Sequence, residues 1–480
     1  MRYSRSRHRR SRPSGKVLII VAFSLPAMLG LVALVLDGGI LLAQRRHVQA
    51  AADAGALAGA VVIFNNYPTA QGGYDSNAEA RARQVALENF RESDRPNVDI
   101  TVNIPPRESE GERYNGRPGY VEVIVRYRQP RSFSRIWGSE PISQRRQAIA
   151  RGSWARPRGG VAVLHPTASA SFSFGGNSNN YLNVQGGELF VNSNNSTAIS
   201  GGGGARAAAN GFFVTGDPGM TNQTPSSLME SNGVTQSNNI NSGSLPILDP
   251  FRSLPEPTVT NNQTSTLIKK MQGNNVTAGW TQNAQPRIND LVAAGQLTSA
   301  EATGFTDFYL LSPGRYGSLP NFTSSSTLVL LQQAPGGGIF NLTEGITVNS
   351  AYLMMDPRSS GGIMLYNTGS GSNAGISLGG QSGKVWLVPP TSGTYQNMVI
   401  FQSRLSSTVP PISISGGARF DIAGSIYSAR GELKLSGGAA GNKVGSQQVT
   451  NTLTISGGAN ITVTYDSGQV ANQRVLTLVE

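Results

Sequence analysis

The chain of 480 residues contains no cysteine and only three histidines. Without cysteine it can form neither a disulfide framework, nor a thiol nucleophile, nor a thiolate metal site. His8, His47 and His165 are too scattered to build a histidine metal site. Charged residues are also scarce, at 14%, so the chain is too apolar and too weakly charged to be wholly disordered. Its 58 glycines, among many Ser, Asn and Thr residues, indicate short strands and turns.

The excess positive charge is confined to the first third of the chain. Residues 1–158 hold 25 Lys and Arg against 13 Asp and Glu, whereas residues 159–480 hold 14 of each kind. Seven of the basic residues lie within the first 16 positions, directly before an apolar run. Membrane topology explains such a cluster, so we expect no nucleic-acid partner.

The apolar run, Val17–Leu36, has twenty residues without a charge. At about 1.5 Å per residue it would span the roughly 30 Å hydrocarbon core of a bilayer. The alternative is a cleaved signal peptide, whose apolar region is usually about 7–15 residues long and is followed closely by a small-residue cleavage site. Here Asp37, Arg45 and Arg46 come first. We therefore predict an uncleaved single-pass anchor, with its N-terminus in the cytoplasm because more cations precede the run than follow it.

A helix rich in alanine is predicted directly after the anchor, over Gly38–Ala60, because alanine has the highest helix propensity. Its small residues Ala51, Gly55 and Gly59 recur every four positions and would let another helix approach closely. We expect this face to pack against a helix of a partner protein.

A small α+β module is predicted over residues 37–158. The spacing of Ala80, Gln84, Leu87 and Phe90 predicts a second helix over residues 77–91. Alternating apolar residues predict strands over residues 98–104, 120–127 and 147–154.

The remainder, residues 159–480, is predicted to be mostly β. Ser-Gly-Gly begins at Ser415, Ser436 and Ser456, at intervals of 21 and 20 positions, and alternating strand residues follow each copy. Such a period favours stacked β-coils, a right-handed β-helix-like β-solenoid, over a β-sandwich. An insertion is expected at about 217–333, with one helix over Pro286–Ala300. The fold class is therefore α+β: a basic tail (1–16), a membrane helix (17–36), the module and the β-domain.

The N-terminal stretch resembles a known group, the TadE/TadG-like proteins of Tad (tight-adherence, Flp) pilus assembly. The resemblance covers about 35 residues and continues more loosely into the Gly-rich region. The matching positions are Pro26, Asp37, Gly39, Arg45 or Arg46, Gln49, and Ala51, Ala52 and Asp53 followed by Ala-Leu-Ala-Gly-Ala at 56–60. The helix-packing candidates are Ala51, Gly55 and Gly59. Related minor pilins carry a processing site with Glu five residues after a Gly. Here Ile20 stands five residues after Gly15, so a permanent anchor fits better than a processed pilin.

The resemblance implies a non-enzymatic bacterial envelope protein in the inner membrane, with the bulk of the chain periplasmic or extracellular. Its implied partners are the inner membrane, other Tad/Flp assembly proteins and a surface protein or glycan. It implies no catalytic residue, metal, cofactor or small-molecule substrate. Two alternatives stay open: a surface adhesin that shares only the anchor, and a β-helix carbohydrate-active enzyme.

Sequence motifs for catalysis are weak. Residues 375–379 match G-x-S-x-G around Ser377, but no histidine follows to complete a triad. Residues 369–374 approximate a dinucleotide loop, yet the sequence after them predicts a strand and a turn instead of a helix. For the carbohydrate-enzyme alternative, Asp421 and Glu432 are the best candidates, although eleven positions do not make one repeat.

Overall fold

The computed structural model describes residues 16–66, 76–109, 112–117, 119–133, 135, 138–155, 159–176, 178, 180–217, 228–229, 240–437, 442–458 and 460–479. The chain divides into two compact units, Met1–Trp154 with Arg474–Glu480, and Ala155–Gln473. The last residues, which were expected within the β-domain, therefore lie in the first unit.

The first unit packs two helices on one sheet. Its elements are α1 (Lys16–Asn66), α2 (Ser76–Glu88), β1 (Val98–Asn103), β2 (Tyr120–Gln129), β3 (Ile142–Ala155) and β32 (Gln473–Leu478). The strands are ordered β1-β2-β3-β32, with antiparallel β1–β2 and β2–β3 pairs. The long apolar helix and the three N-terminal strands agree with the prediction, and β32 is an addition that local patterns did not indicate.

The buried face of α2 differs from the predicted one. Ala78, Ala82 and Ala86 are fully buried, together with Phe90 just beyond the helix, whereas Ala80 and Gln84 are exposed. Alanines every four positions line up along one face of a helix. Close packing on α1 leaves room only for small side chains on that face. The larger Leu87 therefore lies at the margin of the face and is half-buried.

The second unit consists mainly of short parallel strands, arranged as three columns that we number. The first column contains β4 (Val161–Val163), β7 (Leu189–Val191), β10 (Phe212–Val214), β12 (Ile240–Ser242), β17 (Gly314–Tyr316), β19 (Gly338–Leu342), β22 (Ile363–Asn367), β25 (Met398–Gln402), β28 (Ser425–Ser436) and β30 (Gln447–Ser456). The second contains β5 (Phe172–Phe174), β8 (Ile199–Gly201), β20 (Ile346–Asn349), β23 (Ile376–Gly379), β26 (Ile412–Ser415) and the later halves of β28 and β30.

The third column contains β6 (Tyr181–Gln185), β9 (Arg206–Ala208), β11 (Leu228–Met229), β13 (Leu267–Lys269), β16 (Asp307–Leu311), β18 (Thr327–Leu331), β21 (Tyr352–Met355), β24 (Lys384–Leu387), β27 (Arg419–Ile422), β29 (Asn442–Val444) and β31 (Asn460–Thr464). Outside the columns lie a hairpin, β14 (Met271–Gln272) with β15 (Asn275–Val276), a π-helical segment (Trp280–Ala284), and two α-helices, α3 (Gln285–Ala293) and α4 (Ser299–Gly304). One core joins the three columns: Val163, Phe174 and Leu182, one from each, are all fully buried within it.

The Ser-Gly-Gly repeat corresponds to stacked strand ends. Ser415 pairs in register with Ser436, and Ser436 with Ser456. The glycine after each serine has a positive φ between 65 and 89°, a conformation that glycine adopts without strain. Earlier in the chain, partners in the third column are more widely spaced: Leu353 and Val385 are 32 positions apart. The period is therefore clear only near the end of the chain.

The order of strands along the first column is not the order of the chain. It runs β17-β19-β22-β25-β28-β30-β4-β7-β10-β12, because Gln448 of β30 pairs with Val161 of β4. In the third column Ile461 likewise pairs with Leu182. The first and last strands of the unit are therefore neighbours in the middle of the columns, which places its entry and exit points close together and lets β32 join β3 in the first unit.

This order requires a connection from β12, at one end of the first column, to the strands at its other end. Residues 247–263, which we call the strap, run along the outer face of that column. Asn192, after β7, exchanges two hydrogen bonds with the main chain of Ile247, of 2.7 and 2.9 Å. At the far end the Gln263 N–H donates to the Arg315 carbonyl in β17, at 2.8 Å.

The described residues of the predicted insertion, 217, 228–229 and 240–333, are largely integrated into the columns through β11, β12, β13, β16, β17 and β18. The single helix predicted over Pro286–Ala300 is wrong in its bounds, because two shorter helices occur there. Gly295 has a φ of 69°, which interrupts a helix. Thr298 then caps α4 in a capping box, with the Thr298 N–H donating to the Glu301 carboxylate at 2.7 Å.

Arg404 holds the strap against the column. Its guanidinium donates to the Glu256 carboxylate at 3.1 Å and to the carbonyls of Phe251, Arg252 and Leu254, the first two at 3.1 and 2.7 Å. We expect Arg404→Ala to lower the free energy of unfolding of the second unit by about 3 kcal/mol, because it leaves the largely buried Glu256 carboxylate without its cationic partner. Urea unfolding of the full chain, followed by β-sheet circular dichroism, measures this change.

The matched control is Arg358→Ala. Arg358 pairs with Asp290, and both side chains of that pair are more than 40% exposed, so its loss should cost below about 1 kcal/mol. Equal effects of the two substitutions would contradict the role assigned to Arg404.

Asp249 of the strap makes stability depend on pH. Burial raises the pKa of its carboxyl, although the Tyr427 hydroxyl and the Phe251 N–H donate to it at 2.6 and 2.9 Å. Since the pKa is higher in the folded than in the unfolded chain, the resulting stability is fully present below about pH 4 and is lost as the pH rises through the folded value. Relative to the wild type, Asp249→Asn should therefore gain melting temperature between pH 4 and pH 8. A difference that stays constant over this range would refute the prediction.

Candidate functional site

The first half of α1 is an apolar helix without a covering. Between Ile19 and Leu36 its large apolar side chains are 45–78% exposed. The helix continues through Pro26, as membrane helices often do because neighbouring groups satisfy the freed carbonyl. By length and composition, Ile19–Asn65 contains a stretch able to cross a membrane. In water such exposure would be unfavourable.

The end of the apolar run is marked by Asp37, which is half-buried. Its carboxylate accepts a hydrogen bond from the Phe133 N–H at 3.1 Å. Phe133 lies in the connection between β2 and β3 and is 51% exposed. This connection therefore lies level with the end of the apolar run, and β3 runs beside α1 from there. Beyond the adjoining residues of the helix, no atom of the described residues lies within 4 Å of a Cβ added at Gly38 or Gly39.

The Ala/Gly face of α1 packs on α2 and β2 of the same chain. Ala51 and Ala52 are fully buried. A Cβ added at Gly55 would lie 2.9 Å from both the Ala82 carbonyl oxygen and the Ala86 Cβ. At Gly59 it would lie 3.0 Å from the Ala82 Cβ and from Val121. These distances are too short for a larger side chain, so glycine is required for this packing.

A series of hydrogen bonds between polar side chains connects α1 to the sheet. The Gln49 amide donates to the Asp53 carboxylate at 2.8 Å and to the Gln147 carbonyl at 3.0 Å. The Gln147 side chain donates in turn to Glu122, at 2.9 Å. Glu122 is fully buried and also accepts from Asn103, at 2.6 Å. Gln49 and Asp53, two of the signature residues, thereby position α1 on β3.

A basic cleft of about 410 Å³ lies between α1 and β3. It is lined by Leu42, Arg45, Arg46, Gln49 and Arg146. The four α1 residues follow the spacing i, i+3, i+4, i+7, which places them on one face of the helix. Arg146 is half-buried, whereas Arg45 and Arg46 are exposed. We refer to this site as the basic cleft.

Residues 15–62 match the Tad family of Flp pilus-assembly TadE/G-like proteins. The resemblance predicted from the sequence is confirmed for this Tad segment, which contains every signature residue named above. No curated protein matches the chain, and no solved structure matches it.

The structure brings together only part of the predicted set. Gln49 and Asp53 are bonded to each other, and the small residues form the face buried on α2. The prediction that this face binds a helix of another protein is wrong, because α2 and β2 already cover it. The sequence pattern indicated neither Glu122 nor Arg146, because only the pairing of β2 with β3 brings Glu122 to Gln147 and Arg146 beside α1. The one signal in the sequence was that a basic residue, Arg146, directly precedes the strand predicted over residues 147–154.

The residues considered for catalysis are not brought together. Asp421 lies in β27 of the third column, whereas Glu432 lies in β28, on the stretch shared with the second. Glu432 accepts a hydrogen bond from Thr454 at 2.8 Å and pairs with Lys434 at 3.3 Å. Ser377 lies within β23 and is paired with strands on both sides, unlike a nucleophile between a strand and a helix. Within the described residues, no group of three His, Asp or Glu could hold a metal ion.

Because α1 and α2 pack tightly, the effect of a Gly→Leu substitution on stability should depend on its position along α1. Gly55→Leu should destabilise the first unit by about 2–3 kcal/mol, because the added side chain overlaps α2 and overpacks the interface. Gly39→Leu is the matched control, since the same side chain in the same helix meets open space. Thermal unfolding of the full chain in detergent, followed by helical circular dichroism, compares them. Indistinguishable melting curves would show that α2 does not pack here.

Proposed function

We propose that this protein is a non-enzymatic, single-span envelope protein of Tad/Flp pilus assembly or of a related adherence apparatus. The observation that carries the proposal is the coincidence of the Tad segment, residues 15–62, with the uncovered apolar half of α1. A membrane would remove from water the side chains that the first unit leaves exposed.

The proposed orientation has the N-terminus in the cytoplasm of a bacterium, the apolar first half of α1 in the inner membrane and the rest of the chain outside the cytoplasm. Seven cations precede the apolar run, whereas Arg45 and Arg46 follow it, and the more basic flank stays in the cytoplasm. Assembly proteins of the same apparatus would meet the first unit close to the membrane.

For the second unit we propose a β-solenoid that presents a surface to a protein or glycan. Three parallel columns around one core support this interpretation, as does the in-register stacking of Ser415, Ser436 and Ser456. Residues 159–480 carry no net charge. Such a surface offers hydrogen bonds from Asn, Ser and Thr without an electrostatic preference.

A second candidate is a surface adhesin that shares only the anchor with Tad proteins. It is favoured by the fact that the family match ends at residue 62, before the second unit begins. The two candidates differ in whether loss of the protein abolishes the pilus or only adherence.

Fractionation of cells that express a C-terminally tagged full chain tests the proposal. After mechanical shearing we expect full-length protein in the inner membrane. Protease added to intact spheroplasts should remove the tag, because it lies outside the cytoplasm, while a cytoplasmic marker stays intact. A deletion strain should lack pili.

Two results would contradict the anchored-assembly proposal. A shortened product in the sheared fibres or the medium would indicate a processed span and a pilin-like or secreted role. Normal pili with lost adherence in the deletion strain would favour the adhesin.

A further inference from the structure

The basic cleft combines three arginines with an apolar residue on the membrane side. Leu42 is 61% exposed and lies six residues after Leu36, about 9 Å further along the helix. Arg45 and Arg46 follow one turn later, and Arg146 reaches the same cleft from β3. The lining therefore changes from apolar to cationic with distance from the apolar run.

The positive charge of the basic cleft is uncompensated among the described residues. The ion pairs among these residues involve arginines outside the cleft, such as Arg145, which pairs with Glu108. No carboxylate lines the cleft itself. The nearest acid on this face of α1 is Asp53, one turn beyond the lining, and the Gln49 amide is bonded to it. An anion is the ligand that such a site favours, and arginine binds phosphate oxygens with paired hydrogen bonds.

The position of the basic cleft indicates where the anion comes from. Side chains on an α-helix lean towards its N-terminus, which for Arg45 and Arg46 is the direction of the apolar run. Long arginine side chains reach back to the headgroup layer in this way, and that layer extends about 5–8 Å beyond the hydrocarbon core. The exposed ring of Phe133, level with Asp37, indicates that the adjoining connection also lies near this interface.

We propose that the basic cleft binds the phosphate of an anionic phospholipid headgroup in the membrane that α1 crosses. Arg45, Arg46 and Arg146 would contact the phosphate, while Leu42 would lie against the upper part of the acyl chains. This proposal rests on the proposed membrane span and adds a lipid ligand to it. A lipid held both by α1 and, through Arg146, by the sheet would fix how the first unit is rotated, about the axis of α1, relative to the membrane.

The test uses the full chain in detergent, titrated with phosphatidylglycerol or with phosphatidylcholine, and counts bound lipids by native mass spectrometry. The wild type should retain phosphatidylglycerol in preference to phosphatidylcholine. Replacing all three arginines by glutamine (Arg45→Gln, Arg46→Gln, Arg146→Gln) should weaken phosphatidylglycerol binding on the order of a hundredfold, given the usual contribution of each basic residue near an anionic surface.

The matched control replaces three exposed arginines of the same unit that lie outside the basic cleft, Arg81, Arg91 and Arg126, by glutamine. It removes the same net charge and should bind phosphatidylglycerol like the wild type. Equal binding by all three proteins, or equal weakening in both variants, would overturn the proposal. Glycerol phosphate that competes as well as the whole lipid would also overturn it, because the ligand would then be a free phosphate.

Membrane fractionation of the same variants separates the two proposals. If the wild type does not enter the membrane, the proposed span fails and the lipid site fails with it. If the cleft variant inserts like the wild type but still binds phosphatidylglycerol equally well, only the lipid site is refuted.

Discussion

The stacking of the last strands of the second unit on its first strands is the constraint on which the rest of the structure depends. Because β30 pairs with β4 and β31 with β6, the chain enters and leaves the columns at neighbouring positions. The C-terminal strand can then complete the sheet of the first unit beside β3. The same stacking obliges the chain to travel from β12 to the opposite end of the first column, which creates the strap.

The chemistry of the strap follows from its course over the outer face of a sheet. Phe251 and Leu254 bury apolar surface there, but the main-chain carbonyls of an irregular segment need donors that no neighbouring strand supplies. Arg404 supplies several at once, which a lysine with a single ammonium group could not do in the same geometry. Tyr366 donates to Glu256 at 2.8 Å, and burial beside that carboxylate strongly raises the pKa of the Tyr366 hydroxyl. The hydroxyl therefore stays protonated and continues to donate.

Local patterns predicted the elements that depend on neighbours in sequence. The apolar run, the alternation in β1 and β2 and the Ser-Gly-Gly turns are all visible within about twenty residues. The buried face of α2 could not be predicted in this way, because the buried Ala78, Ala82 and Ala86 are the same residue type as the exposed Ala80. The pairing of Gln448 with Val161 and the position of Arg146 beside Arg45 depend on residues about one hundred or more positions apart, for which one sequence carries no local signal.

The faces of α1 limit where another protein could contact this helix. Small side chains from Ala51 to Gly59 permit an approach that is too close for any larger residue, and α2 with β2 already occupies it. A second protein would have to displace α2 and expose a continuous apolar interface, at a cost comparable with the stability of the whole unit. Without such displacement, α1 exposes its apolar run and the face that carries Leu42, Arg45, Arg46 and Gln49, together with single positions such as His47, Ala50 and Val61. A partner that contacts α1 would therefore bind through apolar surface or negative charge of its own, and not by close packing on the small residues of α1.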